Sequence, residues 1–156
     1  MGLSSKFVNG SKLIVFSLLL LPSIFWGVNF FNNNLGVNPI DELMDRLGEM
    51  SLRLIILTLL ISSLSDLKYL RALINLRRMV GLFAFYYISL HFITYIVLDH
   101  YFNWQFIIKD IIKRPFITFG FISFILLMPL AFTSINILVK KLGYKLWKRI
   151  HMLIYI

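Results

Sequence analysis

The chain has 156 residues, 59% of them hydrophobic and 16% aromatic, with a formal net charge of +9 and no cysteine. So large an apolar share marks an integral membrane protein, and the missing thiols exclude disulfides, thiolate catalysis, iron–sulfur clusters and thiolate-ligated haem. The basic residues sit between apolar runs, where topology accounts for them, and no soluble basic domain is left to hold a nucleic acid.

Long hydrophobic runs separated by short charged segments predict an all-α, polytopic transmembrane helical bundle in one domain, with four full spans plus the start of a fifth. The first span, Leu13 to Phe31, follows Lys6 and Lys12; it is long enough to cross and lacks a small-residue cleavage site, so it reads as a signal anchor. Pro22 would kink it and Trp26 suits the aromatic belt. The loop FNNNLGVNP leads into a helix over Pro39 to Leu64, whose early Asp41 and Glu42 complement the helix dipole. Leu43, Met44, Leu47 and Met50 make its start amphipathic, Glu49 and Arg53 are spaced to pair, and the apolar remainder is the second span.

SDLKYLRALINLRR, with Lys68, Arg71, Arg77 and Arg78, is a short basic connection to the third span, Leu76 to Asp99. After it, Asp99 to Trp104 reads as a polar-aromatic loop in which His100 is solvated, and FIIKDIIKR as an interfacial turn of helix. Pro115 opens the fourth span, Phe116 to about Ile135, which contains Pro129. The basic connection KKLGYKLWKR then leads to a fifth span beginning at Ile150.

Eleven Lys and Arg fall on the side of the N-terminus and five on the other, which also holds six of the seven acids. The positive-inside rule therefore predicts a cytoplasmic N-terminus, with residues 32–49 and 99–114 facing outward.

His91 is an ionisable group inside the third span, a costly placement that calls for a reason. Two readings stand side by side: interhelical hydrogen-bonding, or ligation of a metal or haem. Arg77, Gly81, Ala84, Thr94 and Tyr95 share roughly its face; the small residues leave room for a flat macrocycle but equally suit helix packing. Arg77, Arg78, Lys148 and Arg149 suit haem propionates, and a plain positive-inside stop explains them as well. His91 lies thirteen residues past Arg78, roughly 20 Å into the core, whereas His151 lies only two past Arg149. At those different levels the two cannot face each other across one iron. No catalytic motif is present: there is no phosphate cradle, no paired-histidine metal spacing and no nucleophile with a base.

The blocks LRRMVGLFAFYYISLHFITYIVLD (76–99), DIIKRPFITFGFISFILLMPLAFTS (110–134) and LGYKLWKRIHMLIYI (142–156), preceded by NPIDELMDRLGEMSLRLIILTL (38–59), closely resemble the MsrQ (formerly YedZ) family. These are haem-binding membrane subunits of the protein-methionine-sulfoxide reductase system, within the ferric-reductase-like transmembrane superfamily. The resemblance implies six helices, haem b, reported use of FMN, and a bacterial inner-membrane location. It also implies electron transfer from the quinone pool or a cytoplasmic flavin reductase to the periplasmic molybdopterin subunit MsrP, for repair of oxidised proteins.

Residue by residue, His91 matches the family's third-helix haem histidine and His151 the first histidine of its fifth helix. The family carries a second fifth-helix histidine about thirteen residues further on, roughly 20 Å of helix. This sequence stops at Ile156, so a C-terminally truncated chain is expected, lacking the partner of His91. Electron transfer with substrate chemistry on a partner is the leading expectation. A structural anchor or assembly protein without haem, or a ferric or quinone reductase cytochrome, are its rivals; the lack of a nucleotide-binding domain argues against a self-contained NADPH enzyme.

Overall fold

The computed structural model describes residues 5–64, 73–134 and 143–152, and every regular element among them is helical. Lys68, Arg71, Ile135, Lys140, Lys141 and the expected fifth span beyond Met152 lie outside the described residues. Six α-helices follow in order: α1 (Ser5–Phe31), α2 (Pro39–Leu64), α3 (Ile74–Thr94), α4 (Trp104–Lys113), α5 (Pro115–Thr133) and α6 (Tyr144–His151). Among the described residues four segments are long and apolar enough to cross a membrane: Lys12–Phe31, Pro39–Leu64, Leu76–Asp99 and Pro115–Thr133. The chain is a multi-pass membrane protein. It divides into two compact units, residues 1–87 and 88–156.

In the first unit, α1 runs unbroken through Pro22 and exposes Leu13, Leu18, Leu21 and Phe25, a surface suited to lipid. The buried residues of α2 are Leu43, Leu47, Ser51, Leu54 and Ile61, one stripe at helical spacing. On its polar flank Arg46 pairs with Glu42 at 2.7 Å and Arg53 with Glu49 at 2.5 Å, while the Asn38 amide donates to the Asp41 carboxylate ahead of the first turn. Gly81 of α3 meets Thr58 of α2 so closely that a Cβ there would lie 3.5 Å from the Thr58 methyl. Val80, Phe83, Ala84 and Tyr87 form the buried stripe of α3. Tyr87 is 0% exposed, and its hydroxyl donates to the Leu19 carbonyl of α1 at 2.6 Å. Edge-to-face rings, Phe16 with Phe83 at 5.2 Å and Trp26 with Tyr87 at 6.1 Å, fill the rest of that contact.

In the second unit the third span departs from a uniform α-helix. After Thr94 the chain widens into a π-turn, Tyr95–Asp99, closed by the His100 amide donating to the Tyr95 carbonyl five residues back at 3.1 Å. Tyr101 and Phe102 then adopt left-handed backbone angles, φ 45° and 60°, reversing the chain into α4. The Asn103 side chain caps α4 by accepting from the Phe106 amide at 3.2 Å. Pro115 opens α5, where its missing N–H costs nothing, and the Thr118 hydroxyl bonds back to the Ile111 carbonyl across the joint. Phe92 of α3 lies against Phe121 and Phe124 of α5, with ring centroids 5.8 and 4.7 Å apart. The Trp147 indole of α6 donates to the Thr133 carbonyl at 3.2 Å, satisfying one of the open acceptors that every helix end leaves.

Candidate functional site

His91 lies on α3, half-buried, seven residues past Ala84 and three before Thr94, both of which are buried. It thus continues the core stripe of the helix rather than a lipid face. Arg77 is half-buried and Arg78 exposed, both near the start of the same helix. Fourteen and thirteen residues separate them from His91, about 20 Å of helix, so they define a second level on α3 and not the surroundings of the imidazole.

His151 closes α6, a short basic helix on which Lys145, Lys148 and Arg149 are exposed. Its ring lies tilted 31° against Trp147, centroids 4.2 Å apart, and its Nδ1 is 3.1 Å from the Trp147 carbonyl oxygen. A carbonyl only accepts, so Nδ1 carries a hydrogen. Metal-ligating imidazoles ordinarily make an outer hydrogen bond of this kind. The run expected as a plain connection to a fifth span is helical from Tyr144 onward, because Gly143, with φ 74°, turns the chain into a first turn there.

His100 corrects an expectation. Read as a solvated loop residue, it is only 14% exposed and lies in a knot of charged groups where the π-turn meets α4. Its Nδ1 is 3.6 Å from Asp99 Oδ2 and its Nε2 3.8 Å from Asp110 Oδ2. Asp110 is 9% exposed, accepts from the Tyr95 hydroxyl at 3.2 Å and pairs with Arg114 Nε at 2.9 Å. The rings of Tyr95 and Phe106 stand edge-on to the imidazole at 4.4 and 5.1 Å. One signal in the sequence marks this knot: Asp110 follows Ile107 by three residues, which puts a carboxylate on the buried side of α4. Among the described residues, no group of three or more His, Asp or Glu side chains is placed to hold a metal ion.

Residues 47–156 match the family described as ferric reductase like transmembrane component. Among curated proteins, the heme-binding subunit MsrQ of protein-methionine-sulfoxide reductase from Herminiimonas arsenicoxydans is 44% identical over 93% of this chain and 66% of its own length. The corresponding subunit of Caulobacter vibrioides is 45% identical over 81% of this chain and 60% of its own. That of Rhodospirillum rubrum is 41% identical over 92% and 69%. The chain thus spans between 60% and 69% of the length of these relatives. No solved structure matches it.

Proposed function

Since the chain belongs to the ferric-reductase-like transmembrane family and to its MsrQ branch, we propose that it is a haem b electron-transfer subunit of a protein-methionine-sulfoxide reductase system. In this reading it lies in the bacterial inner membrane with a cytoplasmic N-terminus. Electrons come from the quinone pool or a cytoplasmic flavin reductase and leave to a periplasmic molybdopterin subunit of the MsrP kind, which repairs oxidised proteins. FMN is a further carrier on the strength of the family resemblance alone.

The observation that carries the reading is the setting of His151: its Nδ1–H donates to the Trp147 carbonyl, the outer hydrogen bond that orients a metal-ligating imidazole. His91 adds an imidazole on the core stripe of α3, two turns past Ala84. An imidazole-only donor set in a chain without cysteine fits a b-type haem. When bound, that haem supplies one-electron chemistry.

The protein's own residues do the rest. His91 and His151, at different levels, would hold the haem iron, and Arg77 and Arg78 would offer guanidinium groups to its carboxylates at the start of α3. Phe92, Phe121 and Phe124 exclude water beside the turn that bears His91. In this reading the chain is a single ferric-reductase-like transmembrane domain.

Reduced-minus-oxidised absorption spectra of the purified protein test this. A b-type band is expected in wild type and its loss in His91→Ala, with the bundle still inserted. A wild-type protein with no such band would mean a structural anchor instead.

A further inference from the structure

The knot at the π-turn sets an imidazole between two carboxylates. Both ring nitrogens of His100 face carboxylate oxygens, Asp99 Oδ2 at 3.6 Å and Asp110 Oδ2 at 3.8 Å, and carboxylates only accept. A neutral imidazole has one N–H and one lone pair, so one of its nitrogens must turn a lone pair toward an acceptor. Nε2 is buried and has no hydrogen-bond partner. Only the imidazolium gives each nitrogen a donor to offer. The charges count the same way. Asp99, Asp110 and Arg114 sum to one negative charge around a neutral His100, and a single proton brings the knot to zero. Tyr95 from the π-turn and Phe106 from α4 complete the surroundings, the first through its bond to Asp110 and the second as an apolar wall.

We propose that His100 is a proton-binding site whose occupancy is coupled to the redox state of the group held by His91. The inference rests on the functional reading above. His100 follows His91 by nine residues, roughly 13 Å along the span, and charges this close across a poorly solvated interior are weakly screened. An electron delivered by a donor of the quinol or flavin class adds a negative charge at the His91 level. A proton from the aqueous side, entering past the partly exposed Asp99 at Nδ1, gives the imidazole its second N–H bond and offsets that charge. When the electron moves on, the same N–H bond breaks and the proton returns to water.

The test is the haem midpoint potential of the full-length protein in lipid nanodiscs, followed by spectroelectrochemistry from about pH 5 to 8. The wild-type midpoint is expected to fall as pH rises. In His100→Gln it stays level at the wild-type alkaline value, and in His100→Lys, whose charge is permanent, it stays level at the acid value. A level wild-type profile, or an unchanged slope in His100→Gln, overturns the proposal while leaving the haem reading in place; a protein with no haem band overturns both. Should the Gln variant fail to hold haem, the wild-type slope and the Lys variant decide.

Discussion

His100 and His151 are each wedged among aromatic rings, yet their polar neighbours are opposite in kind. His151 sets Nδ1 against a backbone carbonyl of its own helix, which fixes a hydrogen on that nitrogen. His100 meets two carboxylates, one at each nitrogen. The first setting suits a metal ligand and the second a cation. What separates them is the kind of acceptor that meets the ring, a backbone carbonyl or a carboxylate, which depends on the turn each histidine ends and not on its burial.

Substitutions that remove those acceptors press hardest on this contrast. Asp110→Leu strips the partner from Tyr95, Arg114 and His100 at once; with Arg114 half exposed, we expect a loss of about 2–3 kcal/mol in reversible unfolding from detergent micelles. A loss under about 0.5 kcal/mol would show that the knot contributes nothing to the fold.

Trp147→Phe should cost about 1 kcal/mol, since it removes the indole donor to Thr133. It keeps the ring under His151 and the backbone carbonyl, so nitrogen-15 spectra should still show the Nδ1–H tautomer; loss of that tautomer would make the contrast one of ring packing. Asn103→Ala should cost about 1 kcal/mol or slightly less and speed amide exchange at the start of α4, loosening the His100 corner without touching its charges. Arg53→Ala removes an exposed pair on α2 and should change stability by no more than about 0.5 kcal/mol.

Hydropathy and punctuation made most of the architecture legible. Pro39 to Leu64 is a single helix with those limits, the Glu49–Arg53 pair forms, and the turn of helix expected over 106–114 is a helix over 104–113. Each of these is local: a proline, an acidic first turn, a spacing of four. The His100 knot is not local. Tyr95–Ile96–Val97–Leu98 looks like any other apolar turn, and nothing in it foretells the π-register that swings His100 toward a carboxylate ten residues later. The helix from Tyr144 was hidden for another reason, since its many charges read as a connection while Leu146, Trp147 and Ile150 keep a helical spacing. Of the candidate site, sequence pattern singled out His91 and the family resemblance added His151; the tautomer of His151 needed coordinates.

Tyr87, Trp147 and His151 all end their hydrogen bonds on main-chain oxygens, those of Leu19, Thr133 and Trp147. An oxygen of that kind is present whatever side chain the position carries. Scanning mutagenesis would therefore find the donors and pass over every acceptor. Across homologues the aromatic donors should persist with no covarying mate, while the acceptor positions drift freely among apolar residues.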